Sequence, residues 1–176
     1  MTIKITYFVH GTTTDNEKGI ATGWNQGELS ELGIKQAKEL GKLTADKKFD
    51  IVFCSDLKRA VDSAKLGFKG KIIPDKRLRE CNYGDWNGKK KDWKTMDYID
   101  TPFPNGESYK DVEKRIRDFL DFLKKDYDNK HIAIVAHRAP QLALDVISKG
   151  KTWEQAIKED WRHKKAWQPG WDYLIE

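Results

Sequence analysis

Ile3-Lys4-Ile5-Thr6-Tyr7-Phe8-Val9-His10-Gly11-Thr12-Thr13 decides how the rest of the chain reads. Its first seven residues are rich in β-branched and aromatic side chains, and the run is short, so it reads as a buried strand. The strand ends at His10-Gly11, and glycine turns sharply where a side chain would obstruct. An imidazole is thereby delivered to the C-terminal end of a strand, the edge at which open α/β sheets hold their ligands. A lone histidine there is more often structural than functional. Here, three later segments direct polar groups to the same edge.

The first of these partners is His131-Ile132-Ala133-Ile134-Val135-Ala136, nearly continuous in apolar character, as expected of a central parallel strand covered on both faces. It ends at His137-Arg138, and a helix is predicted from about Pro140 to Ser148. A second is the strand Asp50 to Cys54, after which Ser55-Asp56 is predicted to cap a helix. In that helix Leu57, Ala60, Val61 and Ala64 form an i, i+3, i+4, i+7 stripe. Arg59 falls away from the stripe, in the first turn. A cation there opposes the helix dipole, which an anionic ligand would relieve, although taken alone an exposed arginine explains it better. The third segment is the loop Leu78 to Gly88, which has no clean period.

Between them, Ser30 reads as the N-cap of a helix running to about Leu43. Residues 12–28 read as a polar loop, Lys71-Ile72-Ile73-Pro74 as a short strand closed by proline, and 92–98 as a short helix. A longer helix from about Ser108 to Lys125 would bury Val112, Ile116, Phe119, Leu120 and Leu123. Trp171 to Ile175 reads as a last strand. Strands alternating with helices imply an α/β fold, a three-layer α/β/α sandwich with a mostly parallel central sheet.

The 176 residues suit one domain spanning 1–176, and nothing resembles a linker. With 33 bases interspersed among 28 acids the net charge is only +5, which suits an anionic small molecule and argues weakly for nucleic acid. Lys89-Lys90-Lys91 is the one tight basic run and reads as a solvated loop. Cys54 and Cys81 lack the spacing of a metal knot or disulfide framework, and Cys54 reads as an inert buried thiol. No apolar segment is long enough for a signal peptide or a membrane span, so a cytoplasmic protein without a membrane partner is expected.

If the three strands are parallel and adjacent, His10, Arg59 and His137 share one edge of the sheet. That combination suits a phosphoryl group: a guanidinium forks onto two oxygens, while helix N-termini and imidazole N–H groups take the others. A neutral imidazole can also act as a nucleophile, splitting one hard displacement into two easier ones. No Asp/Glu cluster suggests a magnesium site. The positive charge must come from side chains, and no metal or cofactor is implied.

At these residues the chain resembles the histidine phosphatase superfamily, which includes the phosphoglycerate mutases. The likeness runs in order through Val9-His10-Gly11 with Asn16, Thr22-Gly23-Trp24, Leu29 to Gly33, and Ser55-Asp56-Leu57-Lys58-Arg59-Ala60. It continues through Leu78-Arg79-Glu80 with Gly84, Trp86 and Gly88, then Pro104 to Ser108, and Val135-Ala136-His137. The resemblance implies a phosphomonoesterase acting on a small anionic phosphate ester, with His10 phosphorylated during turnover. It implies that Arg59 and His137 bind the transferring group and that Glu80 donates and then recovers a proton. That last role needs a carboxyl with a raised pKa, which burial or bound phosphate would produce. Asn16, Thr22 and Gly23 would contact phosphate or substrate.

Two positions depart from the family pattern, and the first matters most. The arginine expected before the first histidine is Val9, and losing such a contact can cost a few kcal/mol of transition-state stabilisation. Arg138 stands where a glycine usually follows the second histidine, so it is expected to supply the missing guanidinium; the alternative is that it points to solvent in a weak enzyme. Trp153, Trp161, Trp167 and Trp171 are expected to include at least two core residues, the others covering the pocket or recognising a leaving group. His131 and His163 have no supporting motif. A mutase, a phosphate-binding homologue without turnover and a basic RNA binder are the competing readings, and a monomer or homodimer is expected.

Overall fold

The computed structural model describes residues 2–176. In chain order its strands are β1 (Ile3–Val9), β2 (Ile20–Ala21), β3 (Ile51–Ser55), β4 (Ile72–Asp75), β5 (Lys89–Lys90), β6 (His131–Ala136) and β7 (Trp171–Ile175). Its α-helices are α1 (Thr14–Glu17), α2 (Glu31–Leu43), α3 (Lys58–Gly67), α4 (Tyr109–Asp126), α5 (Arg138–Lys149) and α6 (Trp153–Lys158). Five strands form one sheet in the order β4-β3-β6-β1-β7, parallel except for β7 at the edge, while β2 and β5 pair as a separate antiparallel ribbon.

Alternation along each strand builds the two faces of the sheet, because successive side chains point opposite ways. Ile5, Tyr7, Phe53, Ile132 and Ile134 pack with Val112, Ile116, Phe119 and Leu123 of α4 and Leu142 and Ala143 of α5. Phe8, Val52, Cys54, Ala133 and Val135 face the other way, onto Leu40 of α2 and Ala64 of α3. Ile132, Ile134 and Val135 in β6 are fully buried, each stabilising the fold by roughly 1.5–3 kcal/mol relative to exposure. The result is an α/β fold with helices on both faces of a mostly parallel sheet, as the sequence led us to expect.

Local chemistry sets the element boundaries. The Ser30 hydroxyl accepts from Gly33 N–H and opens α2, and a Ser108–Asp111 capping box opens α4. Pro74 lies inside β4 and does not close it; β4 is an edge strand, where a missing N–H breaks no ladder. Ser55 and Asp56 do not cap α3 as expected. Leu57 takes the cap position without a side-chain bond, the Ser55 hydroxyl accepts from Leu57 N–H, and Asp56 pairs with Arg79. The supposed loop 12–28 contains α1, opened by a Thr13–Asn16 capping box. No helix among the described residues is long and apolar enough to cross a membrane.

Candidate active site

β1 and β6 are neighbours in parallel register, with Val9 opposite Ala136, so the residues that follow, His10 and His137, emerge side by side. Their ring centroids lie 5.0 Å apart. His10 Nδ1 is 2.7 Å from the Gly11 carbonyl. A carbonyl can only accept, so Nδ1 carries the ring proton and Nε2 keeps its lone pair. Burial, reinforced by the positive charge of Arg59, lowers the His10 pKa to about 3, and the ring is neutral at physiological pH.

His137 is the N-cap residue of α5, and burial with the same cation holds its pKa well below the ordinary value. Both of its ring nitrogens are buried without a hydrogen-bond partner among the described residues. Buried imidazole nitrogens are rarely left so, and whichever one carries the ring proton can donate to a ligand oxygen. Tyr7 supports the arrangement from below, its hydroxyl donating to the His137 carbonyl at 2.6 Å.

Arg59 is 3% exposed, which corrects its reading as an exposed arginine. The loop after β2 folds over it: Nη1 donates to the carbonyls of Asn25 and Gln26, and Nη2 to that of Gly23. Gly23 presents its carbonyl from a left-handed conformation (φ 55°) that side chains resist. Three bonds leave two of the five guanidinium donors for a ligand. Ser63, which carried no signal in the sequence, links this helix to the first strand: its hydroxyl accepts from Gly11 N–H and donates to the Arg59 carbonyl.

Glu80 is buried at the same rim. Its Oε1 accepts from the N–H groups of Cys81 and of Ala139 in the first turn of α5, while Oε2 makes no hydrogen bond among the described residues. The carbonyl beneath it is gripped by the Trp24 indole and by Arg115, whose guanidinium also holds the Arg77 and Arg79 carbonyls and the Glu107 carboxylate. Arg115 thus fixes the loop that carries Glu80. In the sequence it was only a charge beside an apolar stripe.

His10, Arg59, Glu80 and His137 line one cavity of about 640 Å³ together with Asn16, Thr22 and Gly23. Thr22 donates to Asp15, and Asn16 accepts from Thr13 N–H, so both also build their own loop. Arg138 reaches the cavity wall too, with Nε on Asp160 at 2.6 Å and Nη1 on the Thr95 hydroxyl. It is therefore not solvent-directed, and part of its fork is already committed. Two further cations stand on the wall, Lys91 from the basic run and Arg162, which the sequence did not single out. Lys89, Lys90 and Lys91 are all exposed, as expected of a solvated run, and Lys91 also borders the cavity mouth. Trp153 is core, Trp171 packs on the core and lines the cavity, and Trp161 and Trp167 line the cavity. Among the described residues no three His, Cys, Asp or Glu side chains converge as a metal site.

Two adjacent imidazoles, a buried guanidinium and a carboxylate at the C-terminal edge of a parallel sheet define a phosphoryl-transfer enzyme. The sequence pattern of the histidine phosphatase superfamily (branch 1) matches residues 7–156, and the chain belongs to that family. It is 33% identical over 172 residues to a 2,3-bisphosphoglycerate-dependent phosphoglycerate mutase of Rhizobium meliloti, covering 85% of this chain and 81% of that one. Among solved structures it is similar to the alpha-ribazole phosphatase of Shigella flexneri (TM-score 0.76, 26% identity, 90% of this chain and 84% of that one). A mycobacterial glucosyl-3-phosphoglycerate phosphatase is similar to the same degree (TM-score 0.73, 27% identity, 89% and 84%). Phosphomonoesterase or mutase is the class of activity these relatives share.

Proposed function

We propose that the protein hydrolyses a small anionic phosphate monoester through a phosphohistidine at His10. The observation that supports this most is the pairing of a neutral, half-buried His10, whose Nε2 lone pair is free, with a buried His137 ring that has no protein partner among the described residues. In the first step His10 Nε2 attacks phosphorus; the N–P bond forms, the P–O bond to the leaving group breaks, and the Glu80 carboxyl gives that oxygen its proton. In the second step water attacks phosphorus, Glu80 takes a proton from it, and the N–P bond breaks to regenerate neutral His10 and release inorganic phosphate. Arg59 and His137 stabilise charge on the equatorial oxygens throughout. The positive charge is supplied by guanidinium groups, so turnover is expected to be insensitive to chelator.

A mutase reading is favoured by the Rhizobium relative. It requires the phosphoryl group to pass from His10 to a second hydroxyl and not to water. Incubation with radiolabelled aryl phosphate, followed by acid quench, separates these outcomes. Hydrolysis expects acid-labile, base-stable label on His10, steady phosphate release, and loss of both in His10→Ala. Isomerisation of phosphoglycerate without net phosphate release supports the mutase. Phosphate binding with no turnover marks a non-catalytic homologue.

A further inference from the structure

Position 9 is the weak point of the site just described. Val9 packs against the core and brings no charge to the rim, where α3 supplies the buried Arg59. The tail of the chain returns to this spot. In the antiparallel pairing of β1 with β7, Tyr7 stands opposite Trp171, so the residues before β7 run alongside the C-terminal end of β1, where Val9 and His10 lie.

The 3₁₀ turn Trp161–Lys164 precedes that strand, and its Trp161 ring stacks on Trp171 at 4.9 Å. The Arg162 guanidinium lies over the Trp161 ring, 4.4 Å from its centroid. Arg162 Nη1 donates to Asp160 Oδ1 at 3.0 Å and Nη2 to Gln141 Oε1 at 3.2 Å, which leaves three of its five donors uncommitted. Asp160 is 3% exposed and pairs with Arg138 and Arg162 together, so one buried carboxylate faces two cations and the excess positive charge has no protein partner. Arg162 lines the same cavity as His10 and His137, on the stretch that leads into β7 beside β1, whereas Arg138 is tied back to Asp160 and the Thr95 hydroxyl. Arg162, with three donors uncommitted, is therefore the second guanidinium available to the cavity, and its positive charge disfavours protonation of both rings.

We propose that Arg162, held by Asp160, Gln141 and Trp161, supplies the phosphoryl-binding guanidinium that Val9 cannot, approaching the transferring group from the tail of the chain. The assignment rests on the phosphohistidine reading for its catalytic consequence, although binding of a tetrahedral oxyanion does not require turnover. It also gives the tail tryptophans a purpose beyond area: the indole under the guanidinium holds a planar cation at a fixed tilt, as a bare loop does not.

The test uses the full chain and two readouts, aryl phosphate turnover and titration with inorganic vanadate. Arg162→Ala is expected to lower kcat about 100-fold, the scale of removing one oxyanion donor, and to weaken vanadate binding at least tenfold. Val9→Arg placed in that background is expected to restore at least a tenfold part of both losses. A purely structural role for Arg162 gives no such rescue, because position 9 lies on a different element. Asp160 keeps Arg138 in the variant, and folding is checked by its melting transition. If Arg162→Ala does not fold, Arg162→Gln, which is neutral and can still bond Asp160, is read in its place. Turnover and vanadate affinity within threefold of the parent in the folded variant overturn the proposal. Absence of label on His10 with Arg162-dependent vanadate binding overturns the hydrolytic reading and leaves this inference standing.

Discussion

His10 is neutral because its partial burial and the positive charge of Arg59 both disfavour the imidazolium, and the sign of its pH dependence follows. Its folded pKa of about 3 lies below the unfolded value near 6.5, so between those limits the unfolded chain binds a proton that the folded one refuses. The stabilisation is fully present above pH 6.5 and is lost as pH falls from there toward 3; His137, lowered in the same direction, adds to the slope. Denaturant midpoints are expected to decline over that window, and the His10 ring resonances to stay those of a neutral imidazole from pH 8 to 5. A ring titrating near 6.5 in the folded protein would contradict the buried geometry. At this scale the two histidines and Glu80 were legible because each sits at a strand end or in an ordered motif. Arg59 was tied to the phosphoryl group by its motif alone and its burial was not legible, since a helical wheel shows only which way a residue points. The loop that covers it comes from residues 23–26, more than thirty positions earlier.

The turn after β1 and the start of α2 interlock through two glycines. A Cβ on Gly33 would sit 1.9 Å from the Thr12 carbonyl oxygen, and one on Gly11 would sit 2.4 Å from the Gly33 carbonyl oxygen. Both obstacles are backbone and cannot swing aside. Gly33→Ala is expected to destabilise the protein by about 3 kcal/mol, the upper end of overpacking costs, read as a lower urea midpoint at unchanged m. Because Thr12 follows His10-Gly11 directly, kcat is expected to fall as well; a variant with parent-like stability would show that the turn yields freely. Helices and strands themselves were readable where a period or a cap spelled them, as with Ser30, Ser108 and the apolar run of β6. The segments missed, α1, α6 and the turn Trp161–Lys164, are of at most six residues, too short for a period to declare itself.

Across the whole molecule, segments remote in the chain bring imidazoles and guanidinium groups to one rim, a combination suited to an anion. Inorganic phosphate is therefore expected to stabilise the folded state specifically. At about 100 times its Kd the gain is about 2.7 kcal/mol, which for a chain of this length raises Tm by roughly 5–11 °C. Sodium chloride at equal ionic strength is the control, and an equal rise with chloride would mean general screening and no built site. The mostly parallel sheet followed from alternating strands and helices, whereas the order β4-β3-β6-β1-β7 that assembles the rim did not. The edge strand β7 and the tail before it were harder to place, since nothing local says beside which strand a chain end will pair.

The sequence by itself determined the alternation of strands and helices, the parallel sheet they imply and the delivery of His10 and His137 to one end of it. These are consequences of side-chain periodicity and strand termini, which act within a few residues. Only the tertiary structure decided that Arg59 is buried, that His10 is uncharged, that Asp160 is shared by two arginines and that Arg162 stands at the rim. Those depend on water being excluded by segments remote in the chain, and exclusion of solvent is a property of packed volume that no local run of residues carries.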